Sequence, residues 1–299
     1  MKIALITRMK NVFLHIIPII LFCRCTAPFE INTRNSEPLI VIYGCLTSEN
    51  KYHSIRITRS SPYFHDDENE GITNAKVIVT SSLGLEYPFS GDSMGLYVSQ
   101  RRFAASPGAT YRLSVEVDNE RYEAETTTLP VVPVDSIEVK YISIMGFGHY
   151  SLNVFMQEPG ETENYYLFRY FINDTISNDM VTDFVISSDH FYNGEYVNGA
   201  NITYFEDAND PLLQEFNREN DYQNKVSPGD KVRLHIINIE KGYYNFIRDC
   251  KREKHGENPF FGGPPSNIFT NLTNNAVGYF TSYCIQVKQT VVAEKTAKP

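Results

Sequence analysis

The chain has 299 residues, with 27 basic against 36 acidic side chains and a formal charge of −9 at neutral pH. That acidity argues against nucleic-acid binding, which depends on basic groups neutralising phosphates, and the length leaves room for two domains. The absence of Trp beside 20 Tyr and 19 Phe favours β structure, because aromatic side chains pack well on pleated surfaces.

At the start of the chain, Lys2, Arg8 and Lys10 flank an apolar run from Val12 to Phe22 that Pro18 interrupts. A membrane-spanning helix needs about 20 apolar residues, so this run is too short and has the length of a secretory signal core. Phe22-Cys23-Arg24-Cys25-Thr26 follows directly. A cysteine in that place points to lipoprotein processing, in which the thiol takes a diacylglyceryl group and becomes the mature N-terminus. Neither cysteine has the small preceding residue usual at such sites, since Phe22 precedes Cys23 and Arg24 precedes Cys25. Cys25 is the expected lipidation site, because Thr26 and Pro28 open an extended segment behind it; an ordinary cleaved signal is the competing reading. Residues 1–24 are read as the signal peptide, and their loss removes four cations and no acid, taking the charge from −9 to −13. Residues 25–38, with Pro28, Pro38, Asn32 and Asn35 and no periodicity, read as a flexible tether. Its fourteen residues reach roughly 50 Å when extended.

From Leu39 the pattern turns to period two. LIVIYGCL, HSIRITR, AKVIVTS and GLYVSQ read as strands, and TYRLSVEV is the clearest, with Tyr111, Leu113, Val115 and Val117 opposite Arg112, Ser114, Glu116 and Asp118. Such alternation marks a sheet with one wet face. Asp118-Asn119 should turn the chain into RYEAETTTL as a hairpin. Residues 39–132 are therefore expected to form an immunoglobulin- or transthyretin-like β-sandwich. The prolines of Leu129-Pro130-Val131-Val132-Pro133 mark a boundary, since proline donates nothing to a strand ladder.

Residues 133–299 read as a second β-rich, sandwich-like domain, with strands SIEVKYISI, YSLNVFM, YYLFRYFI, DFVIS and VRLHIINI. Glu240 to Lys254 breaks the pattern: Tyr243, Ile247 and Cys250 recur at helical spacing and predict one amphipathic helix. Gly256, Pro259 and Gly262-Gly263-Pro264-Pro265 end it. GYFTSYCIQV is the expected final strand, before a polar tail.

Signals for chemistry are sparse. Gly91-Asp92-Ser93-Met94-Gly95 spells a hydrolase nucleophile elbow, but that motif needs a helix after the serine and here a strand sequence follows. The seven histidines show no metal-ligand spacing, and His235 reads as a strand residue facing a polar neighbour. The acidic run from His65 to Gly71 offers carboxylates suited to calcium, with a solvated turn as the plainer reading. Cys250 on the helix stripe and Cys284 in the closing strand are candidates for a disulfide if the helix docks on the sheet; two buried thiols are the other reading. Tyr63 and Phe64, beside the acidic run, and the rigid turn Gly262, Gly263, Pro264, Pro265 are the candidate partner contacts. Aromatics at a loop tip suit a protein interface, although they also serve to close the end of a sandwich. No cofactor is expected.

The motifs CTAPFE, LIVIYGCLTSE, IRITRSSPYF, NAKVIVTSSLG, TYRLSVEV with YEAETTTLP, VDSI and PPSNIFTNLTN with GYFTSY occur in this order. In that order and spacing the chain resembles the domain-of-unknown-function 4249 family of Gram-negative outer-membrane lipoproteins, over nearly all of its mature length. The resemblance implies an outer-membrane location on a periplasmic or cell-surface face. It also implies a TonB-dependent outer-membrane transporter as partner, because members are often encoded beside one. It implies no chemistry. The expected function is that of a non-catalytic accessory or binding subunit in nutrient uptake, with a surface adhesin or fibre-type lipoprotein as the alternative.

Overall fold

The computed structural model describes residues 38–60, 70–92, 94–216, 224–256 and 268–295. Its first strands are β1 (Ile40–Thr47), β2 (Ser54–Arg59), β3 (Lys76–Ser81), β4 (Glu86–Gly91), β5 (Leu96–Ser99), β6 (Thr110–Val117) and β7 (Glu120–Thr127). In β6 the side chains of Tyr111, Leu113, Val115 and Val117 are buried, whereas Arg112 and Glu116 face water. Asp118 and Asn119, at φ 52° and 65°, form the two-residue turn that pairs Val117 with Glu120. Both residues tolerate the left-handed region, and the twist of such a turn matches that of the strands it joins.

These strands form an eight-stranded sheet in the order β16-β1-β2-β5-β4-β3-β6-β7, in which β16 is Val277–Tyr283. β16 runs parallel to β1, from Val277 opposite Val41 to Tyr283 opposite Thr47. The sheet curls until its two edge strands meet. Thr128 Oγ1 donates to Ser282 Oγ at 2.8 Å, Ser282 N–H donates to Thr126 Oγ1 at 3.1 Å, and the Asn271 amide reaches the carbonyls of Glu125 and Phe280 at 3.0 and 2.8 Å. Joining the edges hides backbone groups that would otherwise be open to stray pairing. Inside lie Ile42, Leu46, Ile55, Ile57, Leu113 and Phe280, all fully buried.

A second sandwich follows. Its four-stranded sheet has the order β14-β13-β9-β8, built from β8 (Ser136–Ile144), β9 (Phe147–Gln157), β13 (Tyr196–Asp207) and β14 (Lys225–Val226). The facing sheet runs β11-β10-β15-β17, with β12 on β10; these are β10 (Tyr165–Ile172), β11 (Thr175–Ile176), β12 (Val185–Ser188), β15 (Lys231–Asn238) and β17 (Ile285–Val291). Leu152, Val154 and Phe205 of one sheet pack against Phe168, Leu234 and Ile236 of the other. The expected all-β fold with sandwich architecture is what the chain adopts. β13 escapes the period-two reading because its register against β9 shifts twice, between Asn198 and Ala200 and between Asn201 and Thr203. Each shift turns the following side chains to the opposite face.

The expected single closing strand is two. β16 ends at Tyr283 in the first sheet, Cys284 is the buried joint, and β17 begins at Ile285 in the five-stranded sheet. Tyr279 to Tyr283 are buried on both faces, so that stretch has no wet side to alternate, whereas β17 is exposed at every second residue.

A short helix α1 (Pro211–Phe216) precedes the long helix α2 (Lys241–Gly256). α2 buries Tyr243 and Ile247 completely, as its apolar spacing predicts. It wedges between the sandwiches, touching Leu167 and Ile237 of one and Tyr43, Tyr279 and Tyr283 of the other. Tyr43 and Tyr243 share a hydrogen bond between their hydroxyls at 2.8 Å, and the Tyr243 and Phe246 rings each lie 5.2 Å from that of Tyr279. The helix start is pinned by Glu240, whose carboxylate accepts from Thr126 Oγ1 at 2.6 Å and from Thr127 N–H at 3.1 Å.

Candidate functional site: a cationic cleft between the sandwiches

The outer face of the five-stranded sheet is apolar at one end only. On its outer face β10 presents Leu167, Arg169 and Phe171 in turn, β15 presents Ile237, His235 and Arg233, and β17 presents Ile285 and Val287. The row Leu167, Ile237 and Ile285 belongs to the layer under α2. Beyond it Arg169 lies opposite His235, and Phe171 opposite Arg233, where the helix no longer covers the sheet. The facing wall is the outer side of β1 and β2, with Tyr43, Cys45, Thr47 and Arg56. Between the walls is a cleft of about 930 Å³, toward the upper end of the range for small-molecule sites.

Its charge is opposite to that of the chain. Lys51, Arg56, Arg169 and Arg233 line it, against the carboxylates of Glu49 and Asp179. Arg169 pairs with Asp179 at 2.6 Å, and Arg233 pairs at the same distance with Asp174. The arginine side chains are only 21% and 29% exposed, whereas their aspartates are 75% and 74% exposed. Each guanidinium also lies over a ring, Arg169 at 5.1 Å from Phe184 and Arg233 at 4.5 Å from Phe171, a stacking that favours the planar cation. The Nε atoms of both arginines are buried with no hydrogen-bond acceptor among the described residues.

His235 sits 4.6 Å from the Phe171 ring. As expected of a strand residue facing a polar neighbour, it stands in β15 opposite Arg169, with the Phe171 ring beside it. Burial, reinforced by the positive charges of Arg233, Arg169 and Lys51, pushes its pKa down to about 4, so the imidazole is neutral at pH 7. Burial pushes the Cys45 thiol up to about 11, which leaves it protonated and a poor nucleophile. Glu49 is held below the usual carboxylate range, chiefly by the hydrogen bond from Lys51 at 2.7 Å.

Cys25, Tyr63, Phe64, Gly262, Gly263, Pro264 and Pro265 lie outside the described residues, as do Ser93 and residues 65–69 of the acidic run. Around the elbow string, Asp92 accepts from the N–H groups of Met94 and Leu96, both at 2.9 Å, and strand β5 follows rather than a helix. Gly95 is needed for packing: at φ +75° a Cβ there would lie 2.2 Å from the Ile57 carbonyl oxygen. Cys45, Cys250 and Cys284 are free thiols, so the considered Cys250–Cys284 bridge is not formed. Cys250 packs in the layer around α2, while Cys284 is buried at the joint between β16 and β17.

Arg56, Arg169 and Arg233 were missed, although a signal for two of them existed. YYLFRYFI and VRLHIINI are apolar apart from Arg169, Arg233, His235 and Asn238, and period two puts Arg169 on the face of Phe171 and puts Arg233 and His235 on the face of Ile237. A cation on a strand otherwise buried on both sides needs an explanation.

Fold and cleft together define an all-β protein of two sandwiches joined by a helix, with a positive, aromatic-walled groove between them. The chain belongs to the family described as Domain of unknown function (DUF4249), whose sequence model matches residues 26–289. No curated protein matches it. Among solved structures it is similar to the two fibronectin type-III domain segment from chicken tenascin, at 12% identity over 68% of this chain and 91% of that chain, with a TM-score of 0.18.

Proposed function

We propose that this protein is a lipid-anchored outer-membrane binding subunit that works beside a TonB-dependent transporter and holds a ligand in the cleft between its sandwiches. The cleft carries the reading: about 930 Å³, with aromatic and cationic walls set on the four strands β1, β2, β10 and β15 and braced by α2. Sites built on rigid elements hold their geometry better than sites on loops. The protonated Cys45 thiol and the weakly basic His235 imidazole favour holding a ligand over transforming it. The anchor rests on the signal-like residues 1–24 and on Cys25, whose acyl chains would retain the protein on the membrane.

Affinity purification from detergent-solubilised membranes tests the role. A transporter recovered in stoichiometric yield is expected, together with release of soluble protein or accumulation of precursor in Cys25→Ala. Recovery of polymers of this chain, or binding to host matrix with no transporter, would replace the reading with the adhesin one.

A further inference from the structure

Arg169 and Arg233 are placed at a cost that the fold itself does not require. A guanidinium stays charged in any protein environment, so covering it loses hydration that must be made good by acceptors. Here each is largely covered, its Nε meets no acceptor among the described residues, and its ion-pair partner is an aspartate about three quarters exposed. Pairs with so exposed an acid are weak and readily exchanged for another anion. Asp174 stands on the two-residue turn between β10 and β11, at φ 67°, and Asp179 on the segment after β11, so both carboxylates reach in from the rim.

The ladder puts the two arginines within reach of one ligand. Arg169 is opposite His235, and Arg233 lies two residues along the same strand and on the same face, a diagonal of about 7–8 Å. Phe171 and Phe184 lie beside them, and Tyr43 stands on the facing wall. A positive groove on a chain of net charge −9 is a local feature rather than the by-product of a basic surface.

We propose that the cleft takes a small soluble anion, whose carboxylate or phosphate displaces Asp174 and Asp179 from Arg233 and Arg169 and whose apolar part lies on Phe171 and Tyr43. This deepens the binding role proposed above and rests on it.

Calorimetry on the purified full-length protein, with phenyl phosphate, benzoate, inorganic phosphate and uncharged benzamide as probes, tests the chemistry. Phenyl phosphate and benzoate should bind, inorganic phosphate more weakly, and benzamide not measurably. Arg169→Gln with Arg233→Gln should raise Kd roughly tenfold to hundredfold, the usual range for losing charge-assisted hydrogen bonds. Asp174→Asn with Asp179→Asn, which leaves the arginines in place, should lower Kd several-fold. That second pair keeps the test sharp even if the arginine variants fold poorly. Equal binding of benzamide and benzoate, or an unchanged or raised Kd in the aspartate variant, would overturn the proposal. Retention on phosphatidylglycerol vesicles that the arginine variant abolishes would overturn its soluble form. Transporter co-purification with none of the four probes bound would leave the accessory role intact and overturn only the anion chemistry.

Discussion

Phe280→Ala removes a ring that the C-terminal strand β16 contributes to the first core. The residue is fully buried, and the ring packs so closely over β1 that a Cβ added at Gly44 would lie 3.2 Å from it. Burying such a side chain contributes about 1.5–3 kcal/mol, and the void left behind adds to the loss, so Phe→Ala in a core costs about 3–5 kcal/mol. That is a large share of the 5–15 kcal/mol typical of a folded domain. Urea unfolding, followed by hydrogen exchange at β1 and β6, should show a matching loss concentrated in the first sandwich. A loss below about 1 kcal/mol would refute the packing argument. The same reasoning applies to residues 38–132 expressed alone. They lack Phe280, Ala276 and Leu272, all part of that core, and β1 lacks its parallel neighbour. This fragment should unfold without a cooperative transition while residues 38–295 retain one, and a sharp transition in the fragment would overturn the reasoning.

Gly278→Ala should destabilise by up to about 3 kcal/mol, because at φ +105° the new Cβ would sit 2.1 Å from the Ile42 carbonyl oxygen. Gly84→Ala, at φ +78° with open space around it, is the control and should lose much less in the same denaturation assay. His235 titrates at 6.5 ordinarily and near 4 in the fold, through burial and then the charges of Arg233, Arg169 and Lys51, with Glu49 opposing them. As pH falls the unfolded chain therefore takes its proton first: stability is full above about 6.5 and declines toward pH 4. Burial lowers His53 as well and adds to that slope; His235→Gln should flatten it in melts taken from pH 7 to 4, and an unaltered slope would refute burial as the cause. Cys45 and Cys250, both pushed up to about 11 by burial, should react slowly with iodoacetamide at pH 8 and rapidly in denaturant. Fast labelling of either in the native protein, read by mass spectrometry, would contradict this assignment.

Local pattern was enough to read much of the molecule from its residues. The alternation in TYRLSVEV placed β6 and its buried face, Asp118-Asn119 placed the turn, and Tyr243, Ile247 and Cys250 placed the stripe of α2. These features follow from neighbours within one turn or one strand, where the pleat or the helical repeat dictates which side chains share a face. The order of the family's motifs likewise identified the family that residues 26–289 match. The partner of β1 was decided only in the tertiary structure. Pairing parallel to β16, a strand near the other end of the chain, leaves no turn between them to announce it. The cleft depends on the same long-range placement. Arg169 and Arg233 share a face with residues that α2 covers, and whether they end under the helix or beside an open groove is set by where a sixteen-residue helix docks. Tyr43 and Cys45 reach that groove only because β16 and α2 bring the first sandwich against the second. A strand's alternation determines that two faces exist; what each face meets depends on the packing of surfaces far apart in the chain.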